Sequence, residues 1–133
     1  MHPMLCTMTE TTMQRTPTIA LVNNDSCLTA RLQTLLKREQ FQVRTYVNTF
    51  DALDLIENPA DLAVIDKTNP PLGGLELYRC IRARHQMPVI FMSAWAEELE
   101  HTLRGTGMEA QGYIPMPISQ TAVIALVRKA LIP

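Results

Sequence analysis

Thr18-Ile19-Ala20-Leu21-Val22, Leu62-Ala63-Val64-Ile65 and Pro88-Val89-Ile90-Phe91-Met92 are short runs in which apolar residues follow one another without alternation. A strand with one wet face alternates apolar and polar residues. Runs of this kind instead predict strands buried on both sides, in a parallel sheet covered by helices. The segments between them fit that requirement. Leu28, Leu32, Leu35 and Leu36 make one apolar helical stripe behind Asn23-Asn24-Asp25-Ser26, whose side chains suit a turn and a helix cap.

The same alternation continues along the chain. Phe41 to Tyr46 alternates as a second strand, and Thr49 is expected to open a short helix with Ala52, Leu53 and Ile56 facing inward. Lys67-Thr68-Asn69-Pro70-Pro71-Leu72-Gly73-Gly74 carries two prolines and two glycines, so it reads as a loop. A helix bearing Leu77, Tyr78 and Ile81, a weaker helix over residues 96–104, a short strand at Gly112-Tyr113-Ile114-Pro115 and a helix capped by Ser119 complete the chain. The predicted fold is α/β: five strands and five helices in strict alternation, a (βα)5 three-layer sandwich around a parallel sheet. Residues 1–16 lack periodicity and are expected to form a flexible leader to a single domain over 17–133. Pro133 stands where a linker to a further domain would begin.

Composition excludes several classes. Lys and Arg number 12 against 13 for Asp and Glu, a net charge of −1, which removes the basic surface that direct nucleic-acid binding requires. No apolar stretch approaches a membrane span, and residues 1–16 lack the basic start and apolar middle of a secretory signal, so a cytoplasmic location is expected. Cys6, Cys27 and Cys80 include no Cys-x-x-Cys pair, and with His2 they have no zinc-ligand spacing.

In an open parallel sheet, ligands collect at the carboxyl ends of the strands. The residues arriving there are Asn23, Asn24 and Asp25, then Asp66, Ser93 and Met116-Pro117. Leu21-Val22-Asn23-Asn24-Asp25, Leu62 to Asp66, Pro88 to Ala94 and Tyr113-Ile114-Pro115-Met116-Pro117, each after its own strand, resemble the receiver domain of bacterial response regulators, in register over residues 18–132. The resemblance is strongest to the branch that precedes a winged-helix DNA-binding domain. It implies a flavodoxin-like fold and a cytoplasmic signalling module, not an enzyme. Such a module takes a phosphoryl group from a sensor histidine kinase and reaches DNA only through a further C-terminal domain. It places Asp66 at the phospho-acceptor position, Ser93 at the phosphoryl-sensing hydroxyl and Tyr113 at the switch aromatic. Thr68 falls where a backbone carbonyl joins the magnesium shell.

The departures from that pattern set the functional expectation. Asn23 and Asn24 replace the acidic pair that holds Mg²⁺, and Met116 replaces the lysine before the last helix. Neutral amides attract magnesium weakly, so Asp66, Thr68 and Asp25 are at most weak ligands, and no other cofactor is expected. Phosphorylation adds about −1.5 to −2 charge, here to a pocket without either compensating group. The reading is an atypical receiver, phosphorylated weakly or not at all, serving as a dimerisation and regulatory module of a transcription regulator. A working phospho-acceptor at Asp66 is the alternative, with Lys67 or Asp25 standing in for the missing groups. In the last helix Val123, Leu126, Val127 and Ala130 form the stripe expected to pack on the sheet. Ile124, Ala125 and Leu131 then lie on another face, and with Leu126 they are expected to form a homodimer interface.

Overall fold

The computed structural model describes residues 16–132, so the leader expected over 1–16, Thr16 apart, and Pro133 fall outside the described residues. Five parallel strands, β1 (Thr18–Val22), β2 (Gln42–Tyr46), β3 (Leu62–Asp66), β4 (Val89–Ser93) and β5 (Gly112–Pro115), lie in the order β2-β1-β3-β4-β5. Helices α1 (Ser26–Arg38), α2 (Asp54–Glu57), α3 (Gly74–Arg82), α4 (Ala96–Leu103) and α5 (Gln120–Leu131) connect and follow them. This is the flavodoxin-like (βα)5 sandwich that the sequence predicts.

The unalternated runs behave as their composition requires. Ile19 and Leu21 point to the face covered by α1 and α5, where Leu28, Leu32, Leu36, Val123 and Val127 meet them. Ala20 and Val22 point the other way, into a core closed by Leu55, Leu77, Tyr78, Ile81 and Leu99. β1, β3 and β4 are buried along their apolar lengths. Each large aliphatic side chain fully withdrawn from water contributes about 1.5–3 kcal/mol.

Helix ends follow local chemistry. Asp25, in extended backbone conformation, accepts the Leu28 N–H at 3.1 Å and caps α1, while Lys37 and Arg38 sit in its last turn against the helix dipole. Ser119 caps α5 by accepting the Ala122 N–H at 3.3 Å. Gly74 opens α3 where no side chain fits: a Cβ there would lie 2.6 Å from the Asp66 carbonyl oxygen and 2.8 Å from Ile65 Cγ2.

Two expectations are corrected. Thr49 does not open α2. It is fully buried and accepts the Leu72 N–H at 2.8 Å, while Asn48 accepts the Asp51 N–H that starts a 3₁₀ turn (Asp51–Leu53) ahead of the helix. Ala52 faces inward as expected, Leu55 is fully buried beside it, and Leu53 and Ile56 pack half-buried against the same core. The two-faced reading of α5 is also corrected in part. Ile124 and Leu131, placed on the face away from the sheet, are half-buried against the same core as Leu126 and Ala130, leaving Ala125 exposed. Leu126 reaches over Gly112, where an added Cβ would be 3.2 Å from Leu126 Cδ2.

Candidate functional site

Asp66 ends β3 and stands half-buried in a cleft of about 400 Å³. Ser93 at the end of β4, Met116 beyond β5, and Trp95, Glu98, Leu99 and Thr102 from the α4 side share this cleft with Lys67, Thr68 and Leu75. Asp66 Oδ1 accepts both the Thr68 N–H, at 3.0 Å, and the Thr68 hydroxyl, at 3.1 Å. Ser93 is 5% exposed and its Oγ accepts the Trp95 N–H at 3.0 Å, so this hydroxyl also shapes the start of α4. Lys67 forms no ion pair among the described residues, and Met116 supplies an apolar wall where a lysine would supply charge.

The amide side of the site is organised by hydrogen bonds. Val22 pairs with Ile65, so Asn23 follows in line with Asp66. Asn23 is 3% exposed; its Oδ1 accepts the Asp25 N–H at 3.2 Å and its Nδ2 is buried without a partner. Asn24 is exposed and its N–H donates to Asn69 Oδ1 at 2.7 Å. Fully buried Asn69 also donates through Nδ2 to the Val47 carbonyl at 3.0 Å, and the Thr49 N–H donates to the Pro70 carbonyl at 3.1 Å. The loops after β1, β2 and β3 are therefore tied together by buried polar side chains.

This donor set does not fit the divalent cation that the family pattern implies. Among the described residues no group of three or more His, Cys, Asp or Glu stands together. One Asp25 carboxylate oxygen is committed to its cap, Asn23 presents a buried amide donor, and Lys67 brings a positive charge into the cleft. A hard cation seeks several anionic oxygens, and the cleft's carboxylates are only Asp66, at the end of β3, and Glu98, on α4, with the Lys67 cation beside them.

The other side of the site is aromatic. Tyr113 stacks on Phe91 with ring centroids 6.3 Å apart, and Phe91 meets Tyr78 edge-on at 5.5 Å. The two outer hydroxyls grip consecutive residues of the loop before β5. Tyr113 accepts the Ala110 N–H at 2.9 Å, and Tyr78 donates to the Glu109 carbonyl at 2.8 Å. Burial pushes both phenols above their ordinary pKa, in Tyr113 against the lowering effect of the Ala110 bond and in Tyr78 against Arg82.

The response regulator receiver domain family matches this chain over residues 19–128. The chain belongs to that family. A receiver domain of two-component signalling accounts for the fold and the order of the strands, with Asp66 and Ser93 at the carboxyl ends of β3 and β4 and Tyr113 within β5. The receiver is 34% identical over 113 residues to the transcriptional regulatory protein CpxR of Escherichia coli K12, spanning 85% of this chain and 48% of that protein. It is 33% identical over 119 residues to the phosphate regulon transcriptional regulatory protein PhoB of Rhizobium meliloti, spanning 86% and 52%. The chain thus spans about half the length of these curated relatives. Among solved structures, the non-phosphorylated HemR receiver domain from Leptospira biflexa superposes with a TM-score of 0.76 at 27% identity, covering 86% of this chain and 94% of that one. No helix among the described residues is long and apolar enough to cross a membrane.

The structure brings Asp66, Thr68, Ser93 and Met116 to one cleft, and leaves Tyr113 on the far side of β4, against Phe91. Asp25 faces its own helix start. Sequence reasoning missed Leu75, Glu98 and Thr102 as cleft residues, and Asn69 and Thr49 as the side chains that tie the loops. The 95, 98, 99 and 102 spacing on α4 held a signal for the first group, since it marks one helical face behind Ser93. A buried loop asparagine gives no such periodicity.

Proposed function

We propose that this receiver is a regulatory and dimerisation module of a transcription regulator, with an output state held by packing and an Asp66 that is phosphorylated weakly or not at all. The supporting observation is the charge set around Asp66. No second carboxylate is free to join it from β1, and no lysine reaches it from β5. Phosphoryl transfer depends on electrostatic stabilisation of the moving group, and that is the component missing. DNA is reached, in this reading, through a region beyond the described residues, as the transcriptional regulatory relatives suggest. The homodimer forms through α5, with Ala125 at its exposed centre and Ile124, Leu126 and Leu131 at its half-buried margins. The half-buried Asp66 carboxylate with a neighbouring lysine in an open cleft favours the second reading, in which a sensor histidine kinase phosphorylates Asp66 and Lys67 offsets part of the charge.

Intact-mass spectrometry after incubation with acetyl phosphate and Mg²⁺ separates the two readings. Most of the protein is expected unmodified, and a stoichiometric adduct at Asp66 within minutes refutes the first. Asn23→Asp, Asn24→Asp and Met116→Lys together are expected to raise labelling far more than any one change, because the groups act as a unit. Magnesium titrated against Trp95 fluorescence is expected to show a dissociation constant weaker than about 1 mM, near −4.1 kcal/mol. Light scattering at about 100 μM, where a dimer of micromolar affinity dominates, tests the α5 interface, with Ala125→Arg expected to give a folded monomer.

A further inference from the structure

Val47, Phe50 and Trp95 remain 63%, 58% and 69% exposed, and all three stand at the carboxyl end of the sheet, in the loops after β2 and β4. With β2 and β4 three strand spacings apart, the patch spans about 14 Å, well inside the footprint of an ordinary protein interface. Pro70, Pro71 and the mouth of the Asp66 cleft lie between its two ends.

These side chains are not waiting to fold back. Val47 is held by its carbonyl to Asn69, and Thr49, next to Phe50, is locked to both Pro70 and Leu72. Buried polar ties fix the loops before any partner arrives, which removes an ordering cost from association. The charged side chains of the surrounding loops are mostly acidic. Asp25, Asp51, Asp66, Glu97 and Glu98 are set against Lys67 alone, while the whole chain carries only −1.

We propose that this pole is a docking surface for a segment of a partner protein that combines apolar anchors with basic side chains. The anchors cover Phe50, Val47 and Trp95, and a lysine or arginine meets Asp66 and Glu98 at the cleft. Apolar contact supplies the affinity, and the acidic surround selects a cationic partner and rejects an acidic one. This surface is separate from the α5 face and requires no phosphate on Asp66.

The probe is a Trp-free amphipathic peptide of leucine and lysine, titrated against the fluorescence of Trp95, with a leucine–glutamate peptide as control. Saturable binding of the lysine peptide alone is expected, with a shift in Trp95 emission. Phe50→Ser should weaken it by about fivefold or more, as loss of an aromatic anchor does. Ile132→Ser removes an equally exposed apolar side chain, 70% exposed but outside the pole, and should change it less than about twofold. Equal binding of the glutamate peptide, equal losses in the two variants, or no saturable binding overturns the proposal. So does loss of self-association in Phe50→Ser, because the occupant is then a second copy of this chain. Circular dichroism confirms that both variants fold.

Discussion

The two sides of the cleft have met different fates. On the β1 side the acidic pair is replaced by Asn23 and Asn24, yet the loop remains ordered through the Asn24–Asn69 and Asn23–Asp25 hydrogen bonds. On the β4–β5 side Ser93 and Tyr113 are present, and they too are engaged: Ser93 with the Trp95 N–H, Tyr113 with Ala110 and Phe91. One side has lost its charge and the other has its groups tied into the frame. Geometry and chemistry are thus separable in this domain. The Asn24 bond is made by its backbone N–H and the Asn23 bond by a side-chain oxygen, so neither tie requires a charge on these side chains.

Breaking the aromatic side is expected to have the largest effect. Phe91 is fully buried between Tyr78 and Tyr113, and Phe91→Ala should cost about 3–5 kcal/mol, read by chemical denaturation. A loss near 1 kcal/mol would mean that the stack is not part of the frame. Asn69→Ala tests the amide side. It leaves the Asn24 N–H and the Val47 carbonyl without their partner and should cost about 1–3 kcal/mol, with amide exchange rising in the loops after β1 and β2. Unchanged exchange there would show that the charge-depleted side is ordered by something else. Tyr113→Phe keeps the ring and removes only the Ala110 bond, an expected loss of about 1 kcal/mol with the stack intact.

The smallest effect lies outside both sides and serves as their baseline. The Tyr46 hydroxyl and then the Asn58 amide, helped by Arg44, hold the Asp54 carboxyl below its ordinary pKa. A depressed folded value favours the carboxylate, so this contribution is full above the ordinary carboxylate range and is lost as pH falls through the folded value. Asp54→Asn should therefore flatten the acid limb of the stability profile slightly and leave neutral pH nearly unchanged. The tyrosines run the other way. Tyr46, Tyr78 and Tyr113 are all raised, chiefly by burial, so their contribution is present at neutral pH and is lost above the ordinary tyrosine range.

Most of the fold was legible because unalternated apolar runs and a 3.6-residue stripe are direct consequences of burial. The strand ends at Asp66 and Ser93 followed from them. The α2 region is less legible: Ala52 faces inward as its spacing predicts, but Leu53 and Ile56 are only half-buried, and the fully buried Leu55 is not on the expected face. Asn69 and Thr49 were illegible for a different reason. Their role depends on loops brought together from β1, β2 and β3, and no local pattern announces a tertiary hydrogen bond. Ile124 and Leu131 were placed away from the sheet because helical spacing tells how far round a residue lies, not how deeply its helix sinks into the layer below.

Gly74 sets a limit on how such a domain can change over time. A single methyl group there would collide with the carbonyl of Asp66 and the Cα of Lys67, 2.9 Å away. Most side chains around Asp66 line an open cleft, where a substitution meets solvent rather than backbone. The spacing between α3 and the end of β3 admits no such exchange. A substitution at Gly74 thus tests the shape of the domain itself, independently of the chemistry at Asp66.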